Sequence, residues 1–271
     1  ATKITIETKN WEYGPKYSTP VFEFVGASQL AAGTYLLGQV GSIEGNINDI
    51  LIEGLADKHY YLLLVNGQLS LVLEDMRAPA SVVWNGDNSS IYDLASTKNF
   101  LNNGVADISV DGDDLIFDDN AVSTTVEVKG AVRPNSITFN NETKNYTLKG
   151  DSILGGVLIT KNGKGTVTIS NENRTGTTTI NNGKLIVNAL ANRTGVDYGA
   201  LGNYRQNINI NDGGALGFSE SVITDQPVNV RGEVTIDVPT YLGVTFNQGF
   251  KGEGAVSIEK WWGWNDVTIL L

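Results

Sequence analysis

The chain has 271 residues, enough to bury the core of one large β domain or two smaller ones, and it is rich in Gly at 31 residues and poor in Pro at 6. No apolar run is long enough for a membrane-spanning helix, and the absence of Cys excludes disulfides and thiolate metal sites. A net charge of −11 opposes binding to phosphate backbones and so argues against nucleic acid as a partner.

Taken from the start, residues 1–80 read as strands alone. Lys3–Glu7, Val21–Val25 and Thr34–Leu37 alternate or run apolar between Gly, Pro and Ser breaks. Tyr60–Val65 and Gln68–Leu73 flank Asn66-Gly67, which supplies the two positive-φ positions of a type I′ turn. A hairpin is therefore expected, inside a β-rich and partly antiparallel N-terminal segment. Met76–Ala80 reads as a linker into a second region, residues 81–271. There, Ile91–Asn103 is the one stretch compatible with a helix, with Leu94, Phe100 and Leu101 apolar and Asp93 near its start.

Beyond it come short strands, each closed by a Gly- or Asn-rich turn. Similar units begin at Gly165, Gly183, Gly214, Gly232 and Gly254, spaced by 18, 31, 18 and 22 residues. A step of about 20 residues is one coil of a solenoid, whereas sandwiches and barrels turn every 8–12 residues without a longer period. The long step holds Ala189–Gln206, polar and without a strand pattern, which reads as a loop inserted into one coil. Ile137, Phe139, Leu148, Val167, Ile169, Leu185, Val187, Leu216, Val234, Ile236, Val256 and Ile258 should point into one elongated core. Strands one coil apart should pair in parallel.

One stretch is more specific than the period. Lys161-Asn-Gly-Lys-Gly-Thr-Val-Thr-Ile-Ser170 is followed by Asn173-Arg-Thr-Gly-Thr-Thr-Thr-Ile180, then Gly183-Lys-Leu-Ile-Val187. These residues closely resemble the passenger-associated repeat of bacterial autotransporters, with Val167 and Ile169 in place of leucines. Val83–Gly86, Asp111–Phe117 and Tyr146–Gly150 resemble the lead-in to that repeat. The resemblance implies an all-β, right-handed parallel β-helix of the pectin-lyase-like kind. It also implies a protein secreted or held at the bacterial cell surface, in association with the outer membrane. Similar repeats occur in large secreted bacterial proteins, some of them carbohydrate-active. The strand pattern of the family's C-terminal membrane barrel is not found in this segment. The start at Ala1 and the end in a strand-like run read as an internal or processed piece of a larger exported protein.

Two groups of residues stand out as ligand-binding candidates. Trp261, Trp262 and Trp264 offer flat apolar faces suited to sugars, although indoles in this number also serve to pack an end of the core. Tyr198, Tyr204 and Arg205, with Arg193, form a polar patch on the expected insertion. Glycans or host and cell-surface molecules are the partners these side chains suit. Asp111, Asp113, Asp114, Asp118 and Asp119 are dense, but their spacing fits no calcium loop and reads as turn residues. The sole histidine, His59, is remote in sequence from any Ser–Asp pairing. No catalytic residue, metal ligand or cofactor is assigned. The expected role is a non-catalytic structural or adhesive segment. The alternative is a carbohydrate-active β-helix, a glycoside hydrolase or polysaccharide lyase, whose carboxylates come from different coils.

Overall fold

The computed structural model describes residues 21–23, 30–39, 51–53, 58–260 and 266–269. These residues are all β, with no helix among them, and the chain divides into two compact units at Arg77/Ala78.

The first unit contains β1 (Val21–Glu23), β2 (Gly33–Gln39), β3 (Leu51–Glu53), β4 (Lys58–Val65) and β5 (Gln68–Asp75). β4 and β5 form the antiparallel hairpin expected from Asn66-Gly67, whose φ angles of 51° and 75° are both positive. β2 adds antiparallel to β5, while β1 and β3 pair in parallel. Leu62, Leu69, Leu71, Val72 and Leu73 are buried.

The second unit is a parallel β-solenoid of about seven turns. It opens with β6 (Ser81–Trp84) and β7 (Ile91–Tyr92), followed by an antiparallel excursion through β8 (Phe100–Asn102) and β9 (Val105–Asp107). The next coils each supply two strands. They are β10 (Asp114–Asp118) with β11 (Thr125–Val128), β12 (Ser136–Asn140) with β13 (Tyr146–Gly150), and β14 (Leu158–Lys161) with β15 (Thr166–Ile169). β16 (Thr178–Ile180) and β17 (Gly183–Val187) follow, then the short β18 (Tyr198–Gly199) and β19 (Gly202–Asn203). β20 (Ile208–Ile210), β21 (Gly214–Phe218) and β22 (Val222–Thr224) make the next coil. Last come β23 (Val228–Val238) with β24 (Gly243–Phe246), and β25 (Phe250–Lys260) with β26 (Asp266–Ile269).

One face stacks β6, β10, β12, β14, β16, β20, β23 and β25 in parallel. A second stacks β7, β11, β13, β15, β17, β21 and the later half of β23, and a third forms from β22, β24 and β26. Every coil thus places the same column of residues inward. Ile137, Ile159, Thr178, Ile208 and Val228 are successive partners on the first face. Val126, Leu148, Ile169, Val187 and Phe218 do the same on the second. At the N-terminal end the core is aromatic: Phe117 stacks on Phe139 at 5.0 Å, and Trp84 meets Phe100 edge-on at 5.2 Å. Asparagines run along the corner outside it. Asn162 donates to Asn140 at 2.9 Å, Asn181 to Asn162 at 2.7 Å and Asn211 to Asn181 at 2.7 Å.

The helix pattern over Ile91–Asn103 is corrected by the structure. The Asp93 carboxylate accepts hydrogen bonds from the Thr97 amide and hydroxyl, at 2.8 and 2.7 Å, and Ala95 turns to φ 56°. Buried Asn99 donates to the Ile91 carbonyl and accepts from the Asn88 and Ser89 amides, so local side chains take the backbone groups a helix would need. Ten of the twelve expected core residues are fully buried, but Ile258 is 38% exposed and Val256 is only partly covered. Both lie on β25, whose one strand partner among the described residues is β23.

Candidate functional site

Ala189–Gln206 enlarges the coil between β16 and β20, so the step from Thr179 to its ladder partner Asn209 is 30 residues, against 20 from Asn209 to Asn229. The insertion is not the patternless loop its sequence suggests. β18 and β19 pair antiparallel, and Leu190, Ala191, Ala200 and Leu201 are all buried.

Buried polar side chains from neighbouring coils fasten it. Asn173 donates its side-chain amide to the Ala200 carbonyl at 2.9 Å, and its backbone N–H to the Gly199 carbonyl at 3.0 Å. Gln226 donates to the carbonyls of Leu201 and Gln206, at 3.0 and 3.4 Å, and accepts from the Ala191 amide. The Thr224 hydroxyl donates to the Ala191 carbonyl, and Asp225 accepts the Arg193 amide at 2.7 Å. Asn192 closes a tight turn by accepting from the Thr194 and Val196 amides. Asn173, Thr224 and Gln226 are buried, as are Ala191, Ala200 and Leu201, whose backbone groups they meet, so losing one of these side chains orphans a buried backbone group.

On this base the expected residues Tyr198, Tyr204 and Arg205 come together. With Asp197 and Asn203 they line a hollow of about 310 Å³. A second hollow of about 560 Å³ shares Tyr204 and Arg205 and adds Arg193, Asp225, Pro227 and Gln248. The guanidinium carbons of Arg193 and Arg205 lie 5.6 and 5.4 Å from the Tyr204 ring centroid, and Arg174 sits 5.0 Å over Tyr198. A guanidinium held near a ring face by its charge still has N–H donors to offer a ligand. Arg174, Asp225, Pro227 and Gln248 carried no signal in the sequence, because other coils deliver them. Trp261, Trp262 and Trp264 lie outside the described residues.

The aspartate cluster has a structural use. Asp113 is buried and accepts the Ala80 and Val110 amides, each at 2.8 Å. Asp111 accepts the Arg133 amide at 2.9 Å, and its carboxyl is pushed up by burial against the opposing effect of that bond. Asp114 accepts from Ser136 at 2.6 Å and from Asn135 at 2.7 Å, which hold its carboxyl below the usual range. Asp119 is likewise lowered, first by the Lys144 amide and then by those of Thr143 and Glu142. The cluster staples one coil to the next. Among the described residues no group of three His, Cys, Asp or Glu could hold a metal ion.

The largest of these hollows, about 710 Å³, lies at the C-terminal corner of the stack and is lined by Asn211, Asp212, Val230, Arg231, Gly232, Gly252 and Glu253. It carries no aromatic side chain and mixed charge. No protein-family model, curated protein or solved structure matches this chain.

Proposed function

We propose that this chain is a non-catalytic, exported β-helical segment of a larger bacterial surface protein, combining a rigid stalk with a glycan-contacting adhesive site on the Ala189–Gln206 insertion. The observation that carries the reading is the fastening of that insertion by Asn173, Thr224, Asp225 and Gln226. A loop merely tolerated on a solenoid flank needs no buried polar anchors, whereas a recognition surface needs its side chains held in place before the ligand arrives. Tyr198 and Tyr204 supply the half-buried ring faces that saccharides pack against, with arginine donors beside them. The resemblance to autotransporter passengers supplies the setting: a bacterial surface, reached by export.

The test is a screen of the full chain against immobilised plant, bacterial and host polysaccharides, with assays for product release. Retention without release of reducing ends or unsaturated uronates is expected. Release of either, lost on replacing a carboxylate, would overturn this reading in favour of a glycoside hydrolase or polysaccharide lyase.

A further inference from the structure

The geometry points to an acidic saccharide, one bearing a carboxylate on its ring, as the ligand of the hollow formed by Arg193, Tyr204, Arg205, Pro227 and Gln248. This inference rests on the glycan-binding reading and names the chemical class. Neither Arg193 nor Arg205 has a carboxylate within ion-pair distance among the described residues. Both side chains are exposed, and both converge on one tyrosine ring. Among the described residues the one carboxylate in the wall, Asp225, is buried and already engaged: it accepts the Arg193 amide at 2.7 Å and the Asn247 side-chain amide at 3.3 Å. The hollow therefore offers two arginine forks and one aromatic face, a combination suited to a charged group carried on a sugar ring. Gln248 adds a neutral amide able to meet ring hydroxyls, and Pro227 an apolar edge.

The chain's net charge of −11 opposes a polyanion at long range. At physiological ionic strength charges beyond about 8 Å are largely screened, so the arginines at the ring outweigh remote carboxylates.

The experiment measures retention of the full chain on polygalacturonate, on the same polymer fully methyl-esterified, on dextran and on dextran sulfate. Arg193→Ala, Arg205→Ala, Tyr204→Ala and Arg205→Lys are run beside the wild type, each checked for an unchanged melting temperature. The wild type should bind polygalacturonate at least about tenfold more tightly than its ester, and each arginine-to-alanine change should remove about tenfold. Arg205→Lys should fall between, because it keeps the charge but loses the fork. Equal retention on acid and ester, unaffected by the arginine changes, would overturn the acidic class while leaving the glycan reading intact. Retention on dextran sulfate alone, competed by inorganic sulfate, would reduce the site to an ion exchanger and overturn it too. Binding to none of the polymers would remove both readings together.

Discussion

Lys161 occupies an inward position, between Phe139 and Ile180 in register, yet it is fully buried. Its ammonium donates to the carbonyl of Gly163 and, at 3.3 Å, to that of Asn182, both at the corner of the coils. The glycines around it have no room for a side chain. A Cβ on Gly163 would lie 2.2 Å from the Asn141 carbonyl oxygen, and one on Gly183 would lie 2.4 Å from that of Gly163. The Lys-x-Gly-x-Gly run thus has a physical account: close-stacked corner carbonyls and one cation to satisfy them. Burial pulls Lys161 down to about 8, against the opposing pull of Glu142. Between that value and its ordinary 10.5 the unfolded chain binds more protons than the folded one, so this residue's contribution makes stability rise with pH there. Tyr92 and Tyr146 act the other way. Burial raises both phenols above their ordinary 10, so the unfolded chain loses protons first and stability falls above that pH. The urea midpoint should climb from about pH 8 to about pH 10 and then drop, and Lys161→Met should abolish the climb while keeping the drop. A wild-type profile that is flat up to pH 10 would show that the ammonium is not destabilised by burial. The glycines give a second test. Gly130 has φ 74° with nothing within 4 Å of a built Cβ, whereas Gly183 has φ 67° and the close carbonyl. Gly130→Ala should cost about 1 kcal/mol, from backbone strain alone. Gly183→Ala should cost on the order of 3 kcal/mol or more, read as the difference in urea unfolding free energy.

Elements closed by their own local chemistry were legible in the sequence. The β4–β5 hairpin follows from Asn66-Gly67, and the strands of residues 161–188 follow from alternating β-branched positions between corner glycines. The Ile91–Asn103 stretch misled because apolar spacing says nothing about Asp93 and Asn99 capturing backbone groups. The insertion was placed correctly, but its internal order was hidden. Leu190, Ala191, Ala200 and Leu201 are too scattered to form a strand pattern, and the residues that hold them lie in other coils, Asn173 before and Gln226 after. Those anchors predict how the insertion fails. Asn173→Ala removes donors to the carbonyls of Ala200 and Asn171 and the acceptor for the Ile153 amide, all buried, at about 1–3 kcal/mol each. Limited proteolysis should show faster tryptic cleavage after Arg193 and Arg205 in Asn173→Ala than in the wild type. Unchanged cleavage at both arginines would mean that the insertion is held by its apolar residues alone.

A stack of coils in which each coil touches only its neighbours behaves nearly as a one-dimensional array. Coil spacing and the inward columns could be read from the sequence, because an 18–22-residue recurrence of glycine and β-branched residues leaves few other ways to bury the aliphatic face. Position along the stack could not be read this way. Val234 and Ile236 are buried while their register partners Val256 and Ile258 are not, although the two short sequences are alike. Among the described residues, what differs is a strand on both sides of β23 against one beside β25, a property of the assembled stack and not of the local chain. The same asymmetry should govern unfolding. Leu185, with β15 and β21 on either side of its strand, is fully buried, so Leu185→Ala should cost about 2–5 kcal/mol. Val256→Ala, which opens no enclosed cavity, should cost about 1 kcal/mol or less. Hydrogen exchange on this chain should accordingly show protection that is greatest over β12–β21 and falls through β23 to β25, because a coil paired on one side opens without disturbing the next. Leu185→Ala should lower protection in the coils on both sides of β17, and Val256→Ala only in β25 and β26. Uniform protection through β25 would indicate that the stack opens as one cooperative unit, and the nearest-neighbour description would then fail for this solenoid.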